Sequence, residues 1–242
     1  MRNYNYPIIY LSQFILVFYT ELYTGSELLG LSSVKNSFNV RIAYNHQSDK
    51  NMTDIELLEN NLRIECDEIF KSLQPGLSNE EMDRLLDDSL VCFDEIRKIY
   101  AWRNGFPDNM KPSFEKYCFH PCGNFIPLQE AVALRQKREE DGTWDYRFFP
   151  LMTNYDGEYL LMDIEKASPT YGFLYISSST MLIHPPQTIY DSFSAFVKAL
   201  SHCYSSGAYV YRRRSHELQI NFERAKNYSE IINPKSEYWK TD

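Results

Sequence analysis

The sequence predicts an α+β fold, a mainly antiparallel sheet with helices packed on one side, over residues 52–234. Three observations point to it. Apolar residues recur at three- and four-residue intervals before residue 103 and again after residue 190, the period of buried helix faces. Between them lie short runs rich in aromatic and branched residues, separated by Asn154-Tyr155-Asp156-Gly157 and by Ser168-Pro169-Thr170-Tyr171-Gly172, the pattern of hairpin-connected strands. No linker-like stretch divides them, so helices, meander and helices describe one layered domain.

Residues 1–51 stand apart. Their apolar run, residues 8–19, is shorter than the roughly 20 residues a membrane-crossing helix needs, and Gln13 interrupts it. Only Arg2 precedes the run, and bulky Tyr19 to Tyr23 follow where a signal peptide places small residues. Neither a membrane span nor a cleaved signal is expected. Two readings stay open for 1–51: a poorly ordered leader, or a stretch upstream of a true start at Met52. At the other end, residues 235–242 are expected to be a tail.

Within the domain, Ile55, Leu58, Leu62, Ile69 and Leu73 predict one helix over 53–73, ended by Pro75-Gly76. Ser78 to Glu81 has the spacing of a capping box and opens a second helix to about Asp88. Phe93, Ile96, Ile99, Tyr100 and Trp102 mark a third, stopped by the left-handed residues Asn104-Gly105. Pro107 and Pro112 mark a loop. A short extended piece over 124–127 leads into a helix from Leu128 to about Lys137, closed by charged residues and Gly142. Strands are expected over 146–152, 158–164 and 172–177, and His184-Pro185-Pro186 as a rigid connector. Phe193, Phe196, Val197, Leu200, Cys203 and Tyr204 form an i, i+3, i+4, i+7 stripe, with Asp191 or Ser192 as cap and Gly207 as stop. A last helix over 216–227 carries Leu218, Phe222 and Ala225 on one side.

Composition excludes several function classes. The chain has 25 basic and 33 acidic residues, a net charge of -8, the wrong sign for gripping phosphates and the right one for a basic partner. Residues 1–51 hold four basic and three acidic residues, so the acidity belongs to the domain. The run Arg212-Arg213-Arg214 reads as a solvated stretch. Five scattered cysteines suit a reducing, cytoplasmic setting better than a secreted disulfide framework. Cys118, His120 and Cys122 have the spacing of half a metal site, but His184 and His202 sit far along the chain, so no metal and no cofactor is expected.

Gly-x-Ser-x-Gly and phosphate-cradling glycine loops are absent, and no context singles out a nucleophile; an enzyme is not expected. Asp156 and Asp163 would be the candidate carboxylate pair, against the plainer reading of a turn former and an exposed strand residue. Tyr171, Phe173 and Tyr175 share a strand face that should pack beneath a helix. Trp102 reads as a buried anchor, and Asn104 with Gly105 as a helix stop.

Several phrases then carry a resemblance. Phe93 to Gly105 looks like a helix that ends in an aromatic residue and Asn-Gly; Phe125 to Ala131 looks like the strand and helix start that follow it. Phe148 to Leu160 is similar to a strand, turn and strand, and Tyr190 to Tyr209 to a C-terminal helix. Together they resemble the SUKH superfamily, which includes the SMI/KNR-type fungal cell-wall regulators and many bacterial immunity proteins. One departure is the single glycine of Asp156-Gly157-Glu158, where the family often has a second.

The resemblance implies a single SUKH-like domain whose structural signature is Trp102, Asn104, Gly105, Asp156 and Gly157. It also implies a non-catalytic, monomeric immunity protein that neutralises a bacterial polymorphic toxin, a basic nuclease, by direct binding. No nucleic acid or membrane partner is expected. A regulatory scaffold of the fungal type is the alternative. Glu139, Glu140, Asp141, Asp156 and Glu158, taken as exposed acidic positions, are the candidate partner contacts.

Overall fold

The computed structural model describes residues 53–86, 93–109, 118–179 and 183–240, all within one unit of the chain spanning residues 50–242. The expected leader over 1–51, the helix end near Asp88 and the loop at Pro112 lie outside them. The architecture is α+β, with a five-stranded antiparallel sheet, a separate two-stranded hairpin and seven α-helices among the described residues. None of those helices is long and apolar enough to cross a membrane.

Where one helix was expected over 53–73, there are two. Helices α1 (Asp54–Glu65) and α2 (Asp67–Ser72) meet at Cys66, whose φ of -136° breaks the helical path. The capping box at Ser78 opens α3 (Asn79–Leu85), with the Ser78 hydroxyl accepting from the Glu81 N–H and the Glu81 carboxylate accepting from the Ser78 N–H. Thr53 and Glu56 build the same device before α1. Helix α4 (Asp94–Trp102) buries Ile96, Ile99 and Tyr100.

Asn104 and Gly105 do not stop α4. The helix has already ended at Arg103, which is extended, and the two residues serve the next element instead. The Asn104 side-chain oxygen accepts from the Leu128 N–H (2.9 Å), the first free donor of α5 (Leu128–Glu140), whose own preceding residue, Pro127, offers no side-chain cap. Gly105, at φ +68°, lies so close to the chain that a Cβ there would stand 2.4 Å from the Ile126 carbonyl carbon. Asn104→Ala is therefore expected to lower the unfolding free energy by about 1 kcal/mol, whereas Asn104→Asp, which keeps the acceptor, retains most of it; urea denaturation of both variants measures the difference.

The sheet runs in the order β1 (Asn124–Phe125), β2 (Phe148–Thr153), β3 (Glu158–Asp163), β4 (Leu174–Ser178), β5 (Ile183–Tyr190). The expected meander is β2-β3-β4. A bulge at Leu151, between the pairs Pro150–Leu161 and Met152–Leu160, breaks the two-residue period, so Phe149, Leu151 and Met152 all enter the main core. Because β1 pairs only with Met152 and Thr153, Pro150 withholds no ladder hydrogen bond from it; α5 lies alongside β2.

His184-Pro185-Pro186 is not a connector but part of β5. A proline-bearing segment can serve as an outermost strand, and the register shift between Ile176–Gln187 and Ser178–Ile183 absorbs both prolines. The main core fills the sheet face under α1, α4 and α6 (Phe193–Ser205), where Ser192 caps α6. On the opposite face a smaller cluster gathers Trp144, Phe148, Leu161, Phe173 and Tyr175.

After α6 the chain departs from expectation. Instead of one helix over 216–227, residues form the hairpin β6 (Tyr209–Arg212) and β7 (Glu217–Ile220), then α7 (Phe222–Ile232), capped by the Asn221 side chain. The expected tail is folded as well. Residues Tyr238–Lys240 make a 3-10 turn, and Trp239 is buried with its indole N–H donating to the Ile189 carbonyl (2.8 Å).

Candidate functional site

The loop before β1 fixes a buried histidine. The Cys122 N–H donates to His120 Nδ1 (3.1 Å), which places the ring proton on Nε2, 2.9 Å from the Tyr190 hydroxyl. Burial pushes the His120 pKa down to about 3, so the imidazole is neutral at physiological pH. Phe196 meets the ring edge-on at 5.3 Å between centroids. Both nitrogens of the candidate half metal site are thus occupied, and among the described residues no three His, Cys, Asp or Glu side chains are placed to hold a metal.

Four cysteines lie among the described residues, all with free thiols. Burial pushes Cys118 up to about 11, and Cys66 and Cys203 up to about 12, so their thiols stay protonated and are poor nucleophiles. Cys122 is pushed up further, by burial first and the Glu158 charge second.

His120 and Tyr190 form part of the wall of a cavity of about 180 Å³. Ile176 and Ile189 of the sheet, Tyr209 of the hairpin and Trp239 of the last turn supply most of its apolar lining. Ile220 and Phe222 complete it, and both keep large exposed areas, 41% and 52%. Glu158 brings the acidic charge: besides burial, it raises Tyr238, which stands at about 12. The position of Glu158 corrects its reading as an exposed residue. It is half-buried at the start of β3, where Asn154 Nδ2 (3.0 Å) and Ser178 Oγ (3.2 Å) donate to its carboxylate.

The other acidic candidates are distributed over two places. Glu139, Glu140 and Asp141 are exposed at the C-terminal end of α5, where Glu139 lies 3.9 Å from Arg135 and Asp141 lies 3.5 Å from Arg138 and accepts from Thr143. Asp156 is exposed in the β2–β3 turn. That turn is organised by Asn154, whose side-chain oxygen accepts from the Asp156 and Glu158 N–H groups, and a Cβ on Gly157 (φ +88°) would stand 1.9 Å from Ser179 Oγ.

Asp156 and Asp163 are not a pair. They flank the length of β3, about 20 Å apart at the rise of a strand, and Asp163 is fully buried rather than exposed. Its carboxylate accepts from the Ser168 and Thr170 hydroxyls (2.7 Å each) and the Glu165 N–H, with Arg147 at 3.5 Å. The aromatic face of β4 meets a helix in part, since Leu134 of α5 packs against its cluster. Trp144 and the guanidinium of Arg147, 4.7 Å from the Phe148 ring and 5.8 Å from that of Tyr175, cover it, with Lys235 over Phe173.

Of the signature residues, Trp102 is half-buried; its indole donates to Glu59 (2.9 Å), and its ring stacks on Phe125. The cavity escaped sequence reading because its walls come from seven separated segments with no shared period. The one available signal is the concentration of aromatic residues in the last stretch, Phe222, Tyr228, Tyr238 and Trp239. No protein-family model matches the chain, and no curated protein matches it significantly.

Proposed function

We propose that the chain is a non-catalytic protein-binding module of the immunity type, neutralising a basic toxin domain by direct contact, as the SUKH resemblance implies. The observation that carries the reading is Phe222, half exposed beside Ile220 at the rim of an aromatic-walled cavity. Ring-bearing side chains next to a pocket are the usual anchors of a protein interface. The acidic balance of the chain supports a basic partner, because opposite net charge accelerates encounter. Glu140, exposed at the end of α5, and Asp156 are available for that steering.

Co-expression with each toxin domain encoded beside the gene tests the reading. Growth rescue is expected for one of them, together with a stoichiometric complex on size exclusion. Phe222→Asp is expected to weaken that complex by about 30-fold, the scale of one hot-spot residue; because the half-exposed ring also lies 5.8 Å from that of Trp239, the melting temperature of the variant is measured alongside, so that lost binding is separated from lost folding. Absence of rescue from every neighbouring toxin would sink the proposal.

A further inference from the structure

We infer that the cavity behind Phe222 is a binding site for a small uncharged ligand, one aromatic ring carrying an acceptor oxygen, as in an aryl ether, an aryl ketone or a phenol. Size sets the first limit. Dry apolar cavities of about 150 Å³ admit benzene, so about 180 Å³ takes one ring and few further atoms. The lining sets the second, since Ile176, Ile189, Phe222 and the faces of Tyr209 and Trp239 are matched by an apolar ring, and the Glu158 charge disfavours anions.

Hydrogen-bond accounting supplies the oxygen. With His120 Nδ1 accepting from the Cys122 N–H, Nε2 carries the proton and donates to the Tyr190 oxygen. The Tyr190 hydroxyl proton then has no acceptor among the described residues, although the residue is only 2% exposed and lines the cavity. Tyr209 differs, for its hydroxyl is held by Cys203. A buried donor without an acceptor is costly, and an oxygen on a bound ring satisfies it.

The site shares Ile220 and Phe222 with the proposed toxin contact but does not rest on that reading, and it is tested on the purified chain alone. Anisole and toluene are titrated separately while the indole N–H resonances of Trp239, Trp102 and Trp144 are followed by NMR. Saturable movement of Trp239 alone is expected, with anisole binding about three- to tenfold more tightly than toluene. Tyr190→Phe should abolish that difference. Because it leaves the His120 N–H without its acceptor and so destabilises the fold, Ile220→Trp provides a second variant: it fills the exposed mouth and should block both ligands with little change in melting temperature. No saturable Trp239 shift, equal affinities for the two ligands, or unimpaired binding to the Ile220→Trp variant would each overturn the assignment.

Discussion

Trp239→Ala is expected to lower the unfolding free energy by about 3–5 kcal/mol, the range for removing a large ring from a close-packed interior. The indole is 3% exposed and lies against Tyr190, Phe222 and Tyr238 at centroid distances of 6.2, 5.8 and 4.9 Å. Its N–H also donates to the Ile189 carbonyl at the end of β5, tying the last turn to the outermost strand. Two neighbours reinforce the tie, with Ser236 Oγ donating to the Thr188 carbonyl (2.9 Å) and the Glu237 N–H to the same oxygen (3.0 Å). Against a typical total stability of about 5–15 kcal/mol, such a loss removes a large share of what holds the protein folded. Trp239→Phe, which keeps a ring and loses the donor, should cost roughly half as much. Deleting residues 235–242 should cost at least as much as Trp239→Ala. Guanidinium denaturation of the three variants provides the measurement, and an unchanged midpoint in the deletion would show that the last turn is not docked.

That prediction concerns a segment the sequence reading set aside as a tail, and the reason generalises. Elements whose partner is close in sequence were legible: Ser78 and Glu81 cap α3 locally, Ser192 caps α6 locally, and the strands of the β2-β3-β4 meander are neighbours in sequence, the first two joined by the short turn 154–157. Elements decided by distant partners were not. Pro185 and Pro186 read as a connector, because nothing local reveals that β5 is an outermost strand with a register shift to absorb them. Asn104 read as a helix stop because its neighbour is glycine, yet its side chain caps a helix 24 residues away. Residues 209–220 form a hairpin that the helical spacing of Leu218, Phe222 and Ala225 concealed. The candidate cavity belongs to this second kind, since His120, Glu158, Tyr190, Phe222 and Trp239 come together only through the fold.

Asp163→Ala should be almost as damaging as the loss of Trp239, at about 3–5 kcal/mol, by a different route. Here no large cavity opens; instead, partners of a buried charge lose it. The carboxylate ends β3 with no exposed surface and holds the β3–β4 connection closed, taking hydrogen bonds from the Glu165 N–H and from the hydroxyls of Ser168 and Thr170. Thr170 in turn accepts from the Tyr175 hydroxyl (2.8 Å), so one acceptor orders both the loop and the aromatic face of β4. Arg147 completes the set at 3.5 Å, and because its side chain is 32% exposed its share is discounted for solvent screening. A double-mutant cycle with Arg147→Ala is therefore expected to return a coupling near 1 kcal/mol, leaving most of the loss to the hydroxyl and backbone donors. Asp163→Asn separates charge from shape: one amide oxygen replaces two carboxylate oxygens, and the amide N–H₂ must face a hydroxyl turned round to accept it. An intermediate loss is expected there. If urea denaturation instead finds Asp163→Ala within about 1 kcal/mol of the parent, the carboxylate does not order the connection, and its burial between β3 and β4 would need another cause.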